Sequence, residues 1–226
     1  MSSTPAGNYK SLLKEIAVIA TQCGRDPNEI TLVAVSKEHT WLEASAIFEA
    51  GCRDFGENRL QEALPKIALA PQEITWHMIG TLQGNKVAKA IDTFAWIHSV
   101  DTVELAQKIA KESEKKGKRT RILLQANTSG ELSKHGLAAD EWVRSFHLIS
   151  KLPGLDIQGL MTIAPFVEDE AIVRGCFARL RQLKDILEKE GGVSLPHLSM
   201  GMTHDYHWAI AEGASFLRIG TALFRK

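Results

Sequence analysis

Short apolar runs rich in β-branched residues alternate along this chain with segments whose apolar residues recur at helical spacing. The clearest predicted strand is the run Thr-Leu-Val-Ala-Val-Ser at residues 31–36, since a strand covered on both faces is almost continuously apolar. A helix is predicted before it at residues 9–23, with Gly24 as a stop signal. A second helix is predicted after it, with Thr40 as N-cap and Gly51 at its end.

The same strand–helix unit recurs along the rest of the chain. Further strands are predicted at residues 53–56, 74–79, 94–100, 121–127, 155–161, 197–199 and 216–219. Helices are predicted between them at residues 58–68, 85–91, 101–116, 140–150, 168–189 and 205–212, with Asp101 capping the third of these. Strict alternation without a hairpin predicts a parallel sheet, and eight units favour a closed barrel over an open sheet. The predicted fold is a single α/β domain over residues 1–226, a (β/α)8 TIM barrel with an extra N-terminal helix.

The amino-acid composition excludes several classes of protein and is compatible with the predicted fold. The chain has 27 Lys and Arg against 27 Asp and Glu, so charge favours neither nucleic acid nor an anionic membrane as partner. Cys23, Cys52 and Cys176 are widely spaced, which argues against a disulfide framework or a thiolate metal site and favours a reducing compartment. We find no signal-peptide pattern and no window near the roughly 18 apolar residues of a membrane helix. We therefore expect a cytoplasmic protein without a metal.

Candidate chemistry is expected at the carboxyl ends of the strands, where barrels place their active sites. Lys37 follows the first predicted strand directly, and an amine in such a position can act as a nucleophile. Most lysines that follow a strand are solvated loop residues, so this position is weak evidence by itself.

The loops after the last two predicted strands, residues 199–205 and 218–221, are named the phosphate loops here, because barrels commonly bind phosphate after strands seven and eight. Their hydroxyls and glycines are suited to that task, since hydroxyls donate hydrogen bonds and glycine permits close backbone approach. The residues concerned are Ser199, Gly201, Thr203, Gly220 and Thr221. The alternative is a pair of ordinary turns in which Thr203 and Asp205 cap a helix.

Six blocks of residues, in order along nearly the whole chain, resemble those of the pyridoxal phosphate homeostasis proteins. They are Val35-Ser-Lys37, Phe55-Gly-Glu-Asn-Arg59, Trp76-His-Met-Ile-Gly80, Gly159-Leu-Met-Thr162, Leu198-Ser-Met-Gly-Met202 and Arg218-Ile-Gly220. The resemblance implies a barrel like the N-terminal domain of fold-type III enzymes such as alanine racemase.

By the same resemblance, the cofactor is pyridoxal 5′-phosphate, held as an internal aldimine on Lys37, with Arg218 facing the pyridine nitrogen. The resemblance further implies that the phosphate and the remaining walls are contacted by Asn58, His77, Met161, Ser199, Met200, Gly201, Thr203, Gly220 and Thr221. Lys134 matches a further family lysine near the pocket mouth. Thr203 replaces the usual serine of the family and keeps its hydroxyl.

Two considerations favour a carrier of the cofactor over an enzyme. An arginine opposite the pyridine nitrogen disfavours its protonation, and an unprotonated ring is a poor electron sink. Racemisation needs proton donors on both faces of the substrate carbon, whereas Tyr9 and Tyr206 both fall in predicted helices. The predicted function is therefore intracellular homeostasis of pyridoxal phosphate without catalysis, with apo-enzymes as candidate recipients.

Two alternatives stay open at this point. One is a small fold-type III amino-acid racemase that uses Lys37 as a base, and the other is an interaction module that has lost the cofactor. Because no heptad pattern offers a dimerisation seam, a monomer is expected.

Overall fold

The structure, a computed structural model, describes residues 4–131 and 135–225. Its strands are β1 (Thr31–Val35), β2 (Asp54–Glu57), β3 (Thr75–Met78), β4 (Trp96–Val100), β5 (Thr120–Gln125), β6 (Leu155–Met161), β7 (His197–Ser199) and β8 (Phe216–Ile219). Its α-helices are α1 (Pro5–Gln22), α2 (Trp41–Glu49), α3 (Leu60–Leu69), α4 (Val87–Thr93), α5 (Val103–Lys115), α6 (Ala139–Ile149), α7 (Glu170–Gly191), α8 (Tyr206–Ala211) and α9 (Thr221–Phe224).

The strands form a closed parallel barrel in which each strand pairs with its neighbours in chain order. Closure is made by β1 against β8, in register from Thr31 opposite Phe216 to Ala34 opposite Ile219. The pairing of β7 with β8 is the shortest, with Ser199 opposite Phe216. The predicted (β/α)8 barrel is therefore confirmed, and its strand ends meet at one mouth, where a site can form.

Local capping residues decide where several helices begin. Thr40 forms the predicted N-cap of α2, because its Oγ1 accepts from the Glu43 N–H at 3.3 Å and its own N–H donates to Glu43 Oε2 at 2.7 Å. The prediction that Asp101 caps α5 is wrong, because Thr102 Oγ1 accepts from the Leu105 N–H at 3.1 Å and the helix begins one residue later. The sequence pattern also missed α9, since one helical turn is too short to show a period.

Two apolar layers fill the molecule. The larger lies between the strands and the surrounding helices, and α1 joins it with one buried face that includes Leu12 and Ile16, in contact with α2, α8 and α9. The smaller fills the barrel interior with Val33, Trp96, Leu123, Met161 and Phe216. The interior is thus a packed core and not a pore. Within the described residues, every helix is too short or too polar to span a membrane.

Candidate functional site

A cavity of about 610 Å³ opens at the carboxyl ends of the strands. Six of the residues predicted for the cofactor site lie in its wall, namely Lys37, Asn58, Thr203, Arg218, Gly220 and Thr221. They come from the segments that follow β1 and β2, from β8 and from the two phosphate loops, so the barrel brings together segments that are far apart in sequence. Gln125, His135 and His204 line the same cavity and were not predicted from the sequence.

Lys37 opens the turn that follows β1 and is exposed at the cavity. The next residue, Glu38, has a φ of 65°, a left-handed conformation that non-glycine residues seldom adopt. The turn is closed by a 3.1 Å hydrogen bond from the His39 N–H to the Ser36 carbonyl oxygen. A costly backbone conformation directly after the candidate amine is typical of a functional turn that its surroundings hold in place.

A buried polar cluster on the outer side of β1 anchors that turn. Lys66 Nζ on α3 donates to the Ser36 carbonyl oxygen at 2.6 Å and to Glu57 Oε1 at 2.5 Å, and the Ser36 hydroxyl donates to the same carboxylate oxygen at 2.5 Å. Glu57 is fully buried and Lys66 is 6% exposed. Sequence reasoning missed Lys66, although its place three residues after the buried Ala63, on the apolar face of α3, was a signal.

The first phosphate loop is tied to the helix that begins at the end of the second. Thr203 Oγ1 accepts from the N–H of Ala222 on α9 at 3.3 Å, so the loop after β7 is bonded to the first turn of that helix. Asp205 does not cap α8 with its side chain; its Oδ1 accepts from the Met202 N–H at 2.6 Å within the first loop. Burial raises the pKa of Asp205 above its ordinary value. Thr203 and Thr221 both line the cavity, and because Thr203 Oγ1 accepts from the protein, its hydroxyl hydrogen remains for a ligand.

Two glycines permit close approaches that shape the cavity. A Cβ on Gly80 would lie 2.3 Å from the Asn58 carbonyl oxygen, so only glycine lets the exit of β3 pass so close to that wall residue. Gly201 has a φ of 94°, and its Cβ would lie 2.6 Å from the Ala209 Cβ. The close approach that Gly201 makes in the structure is therefore between the backbone of its loop and α8.

Arg218 reaches the cavity from below. Its side chain is 4% exposed, and it donates to the Ser199 hydroxyl oxygen at 2.6 Å and to the Thr162 carbonyl oxygen at 2.8 Å. Burial lowers the pKa of Arg218 to about 10, against the attraction of Asp205. The guanidinium stays charged at neutral pH, so a positive charge, fixed by two hydrogen bonds to the protein, lies at the floor of the cavity.

The structure does not place all predicted residues at the cavity. His77 and Met161 lie inside the barrel below it, Ser199 lies beneath Arg218, and Met200 packs in the outer apolar layer. These four residues do not line the cavity in this structure, and their contact with the cofactor stays a prediction. A motif identifies the strand, but one step along a strand lowers a side chain by about 3.3 Å and turns it to the other face. The predicted Lys134 lies outside the described residues.

Comparisons with known proteins agree with this geometry. The family model described as "Alanine racemase, N-terminal domain" matches residues 8–225. A pyridoxal phosphate homeostasis protein of Pseudomonas aeruginosa is 41% identical over 223 residues, covering 98% of this chain and 95% of that protein. One of Aquifex aeolicus is 39% identical, covering 94% of each.

Solved structures show the same likeness. PipY of Synechococcus elongatus, with pyridoxal phosphate bound, has a TM-score of 0.82 at 36% identity, covering 93% of this chain and 100% of that one. The crystal structure of an unknown protein from Bifidobacterium adolescentis has a TM-score of 0.90 at 36% identity, covering 97% of this chain and 94% of that one. Alanine racemase of Clostridium difficile has a TM-score of 0.77 at 15% identity, covering 95% of this chain and 56% of that one, which shows the fold alone.

Proposed function

This chain belongs to the family of pyridoxal phosphate homeostasis proteins, and we propose that it holds pyridoxal 5′-phosphate reversibly on Lys37 to control the free concentration of the cofactor. One observation carries the proposal: an exposed amine, a held guanidinium and two braced hydroxyl loops face one cavity of about 610 Å³. The cofactor presents an aldehyde, a ring nitrogen and a phosphate, and these groups match the three features of the cavity one by one. The residues present therefore fit the cofactor.

The linkage we assign to Lys37 is a Schiff base. The neutral amine of Lys37 adds to the aldehyde carbon, a C=N bond replaces C=O, and the aldehyde oxygen leaves as water with two amine hydrogens. Water or a second amine can reverse this step, so the bond stores the cofactor and also releases it. The buried Lys66 supports the assignment, because its bond to the Ser36 carbonyl oxygen holds the backbone next to Lys37 in place.

We assign Arg218 to the pyridine nitrogen and the hydroxyls of Thr203 and Thr221 to the phosphate. A cation that already donates to Ser199 and Thr162 disfavours a second positive charge on the ring. The ring is then a poor electron sink, which supports binding over catalysis.

The tyrosines support a carrier over a racemase. Tyr9 and Tyr206 are both buried in the outer apolar layer, Tyr9 on α1 and Tyr206 at the start of α8. Burial raises the pKa of both phenols. Neither is placed to protonate a substrate carbon in the cavity.

We also place the protein in the cytoplasm as a monomer, with apo-enzymes as recipients of the cofactor. Cys23, Cys52 and Cys176 are free thiols, as a reducing compartment favours. Sedimentation at micromolar concentration tests the monomer, and a stable dimer would contradict it.

The linkage is tested by trapping. The purified chain is incubated with pyridoxal phosphate and reduced with borohydride, and its peptides are analysed by mass spectrometry. We expect the adduct on Lys37, loss of the Schiff-base absorbance in Lys37→Ala, and no loss in Lys86→Ala, a lysine that lines the neighbouring cavity. An adduct solely on another lysine would overturn the assignment.

The racemase alternative is tested separately, because it shares the cofactor residues. The loaded protein is incubated with L-amino acids in deuterated water, and exchange of the α-proton is followed by NMR. A carrier gives exchange no faster than free pyridoxal phosphate does. Rapid exchange with inversion would replace our proposal with the racemase.

A further inference from the structure

A continuous line of hydrogen bonds crosses the barrel interior from its amino end to the cavity floor. Asp54 Oδ1 lies 3.0 Å from His77 Nε2, and His77 Nδ1 lies 2.9 Å from His98 Nε2. His98 Nδ1 lies 2.9 Å from Ser199 Oγ, to which Arg218 donates at 2.6 Å. These five residues are named the interior chain. Its members come from β2, β3, β4, β7 and β8, so the chain exists only because the barrel closes.

Water has little access to these bonds. His77, His98 and Ser199 are fully buried, and only Asp54, at the amino end of β2, is partly exposed. The Trp96 ring stacks on His77 with an interplanar angle of 3°, and Phe216 packs against both histidines. Hydrogen bonds in such an environment polarise one another and are costly to leave unmade.

The chemistry of the end groups decides which way the hydrogens point. An arginine only donates, so Ser199 Oγ accepts from Arg218 and keeps its own hydrogen available for His98 Nδ1. A neutral His98 then carries its hydrogen on Nε2 and donates to His77 Nδ1, and His77 likewise donates from Nε2 to Asp54. The opposite direction would set a nitrogen lone pair of His77 against the Asp54 carboxylate.

Burial supports neutral histidines. It lowers the pKa of His77 below its ordinary value, although Asp54 acts in the other direction. It lowers the pKa of His98 further, together with the positive charge of Arg218 and the neighbouring His77 and His197. Both rings are therefore neutral at pH 7, as the direction of donation requires.

We infer that Asp54, His77, His98 and Ser199 are positioning residues for Arg218, whose guanidinium they orient toward the cavity through a line of hydrogen bonds that all point to the Asp54 carboxylate. The carboxylate whose charge acts directly on Arg218 is Asp205, whereas Asp54 acts on it only through the line of hydrogen bonds. The effect of Arg218 on the cofactor rests on the proposed function. The direction of the hydrogen bonds in the interior chain is independent of that proposal.

The direction is tested on the full chain without cofactor. Histidine labelled with ¹⁵N is examined at neutral pH by two-bond ¹H–¹⁵N correlation, which distinguishes the tautomers. We expect His77 and His98 to carry their hydrogens on Nε2. In Asp54→Ala the acceptor is gone, and we expect both rings to acquire a large Nδ1–H population. Asp156→Ala is the matched control, because Asp156 lies at the amino end of β6, bonds to Gln158, and is 29% exposed against 28% for Asp54.

Two results would overturn the inference: an Nδ1–H or doubly protonated ring at either histidine of the parent chain, or tautomers in Asp54→Ala that match those of the control. If Asp54→Ala does not fold, Ser199→Ala interrupts the same line at its other end. His98 then loses its hydroxyl donor, but Asp54 and His77 still fix the direction, so His98 is expected to keep its hydrogen on Nε2. A shift of His98 to the Nδ1–H tautomer would show that Ser199, and not Asp54, sets the direction, and would overturn the inference.

The effect of the interior chain on cofactor binding is measured on the protein loaded with pyridoxal phosphate. Asp54→Ala should still form the Lys37 adduct but retain pyridoxal phosphate about three- to tenfold less well, with a shifted absorbance band, because the line of hydrogen bonds that orients the Ser199 hydroxyl beneath the guanidinium has lost its terminal acceptor. Retention and spectrum equal to those of Asp156→Ala would overturn the effect on Arg218. Failure of the parent chain to form the adduct would instead reject the proposed function, while the tautomer result would stand.

Discussion

The two levels of the barrel, its open carboxyl mouth and its closed interior, use polar residues in opposite ways. At the mouth, Lys37 and Thr221 are exposed to a cavity that a ligand can enter. In the interior, His77 and His98 are fully buried, and both ring nitrogens of each are engaged. The comparison shows two uses of polar groups. Those at the mouth keep hydrogen-bonding groups available for a ligand, whereas those in the interior use their hydrogen-bonding groups on other residues of the protein.

Arg218 belongs to both levels and connects them. It lines the cavity, yet two of its donor contacts are directed inward to Ser199 and Thr162. The Ser36–Glu57–Lys66 cluster plays the corresponding part behind Lys37, since it is buried but ends on the backbone of the exposed turn. We therefore expect substitutions of buried polar residues to lower mainly the stability of the protein, and substitutions at the mouth to weaken mainly the binding of the ligand.

The largest effect is expected where a buried charge loses its partner. Lys66→Met leaves the fully buried Glu57 unpaired and should lower the free energy of unfolding by about 3–5 kcal/mol. The matched control is Arg144→Met, which breaks an exposed pair with Asp140 and should cost less than about 0.5 kcal/mol. Urea denaturation followed by circular dichroism measures both. Equal losses in the two variants would show that the buried cluster is not a stability element.

The interior histidines should make stability fall in acid. Burial depresses the folded-state pKa of His77 and His98, whereas both titrate near 6.5 when unfolded. Below about pH 6.5 the unfolded chain binds more protons, so stability is complete above that pH and is lost as pH falls, by up to about 1.4 kcal/mol per pH unit for each ring. Asp205, whose pKa burial raises, acts in the opposite direction.

Denaturation midpoints between pH 7.5 and 5.5, roughly the histidine range, measure this slope. His98→Gln should reduce it, and His147→Gln, an exposed histidine on α6, should leave it unchanged. Identical slopes in the two variants would mean that the interior rings do not govern the acid response.

The smallest effect on stability is expected at the mouth, where a substitution changes binding alone. Thr221→Val removes one hydroxyl donor to the phosphate, and a hydrogen bond to a charged group is worth about 1.5–3 kcal/mol, so retention of pyridoxal phosphate should fall by roughly one to two powers of ten. Stability should change little, because Thr221 is exposed. Equilibrium dialysis compares the variant with Thr21→Val, whose hydroxyl bonds within α1. Equal retention of pyridoxal phosphate by the two variants would show that the Thr221 hydroxyl does not bind the phosphate.

The sequence by itself determined the barrel and the outline of its mouth. Helical and strand periods are local properties, so alternating them eight times specifies the order of the elements. Lys37 directly after β1 and the glycines and hydroxyls of the phosphate loops could be identified for the same reason, since loop position follows from the elements on either side.

Only the tertiary structure decided the depth and the partners of the buried polar residues. His98 and Ser199 are 101 positions apart and meet across the barrel, and Lys66 on α3 reaches the carbonyl oxygen of Ser36, which lies 30 positions before it. His77 was predicted at the wall and lies below it, bonded to Asp54. Such contacts depend on strand register, tilt and closure, which bring distant strands to the same level, and no local pattern of residues encodes that level.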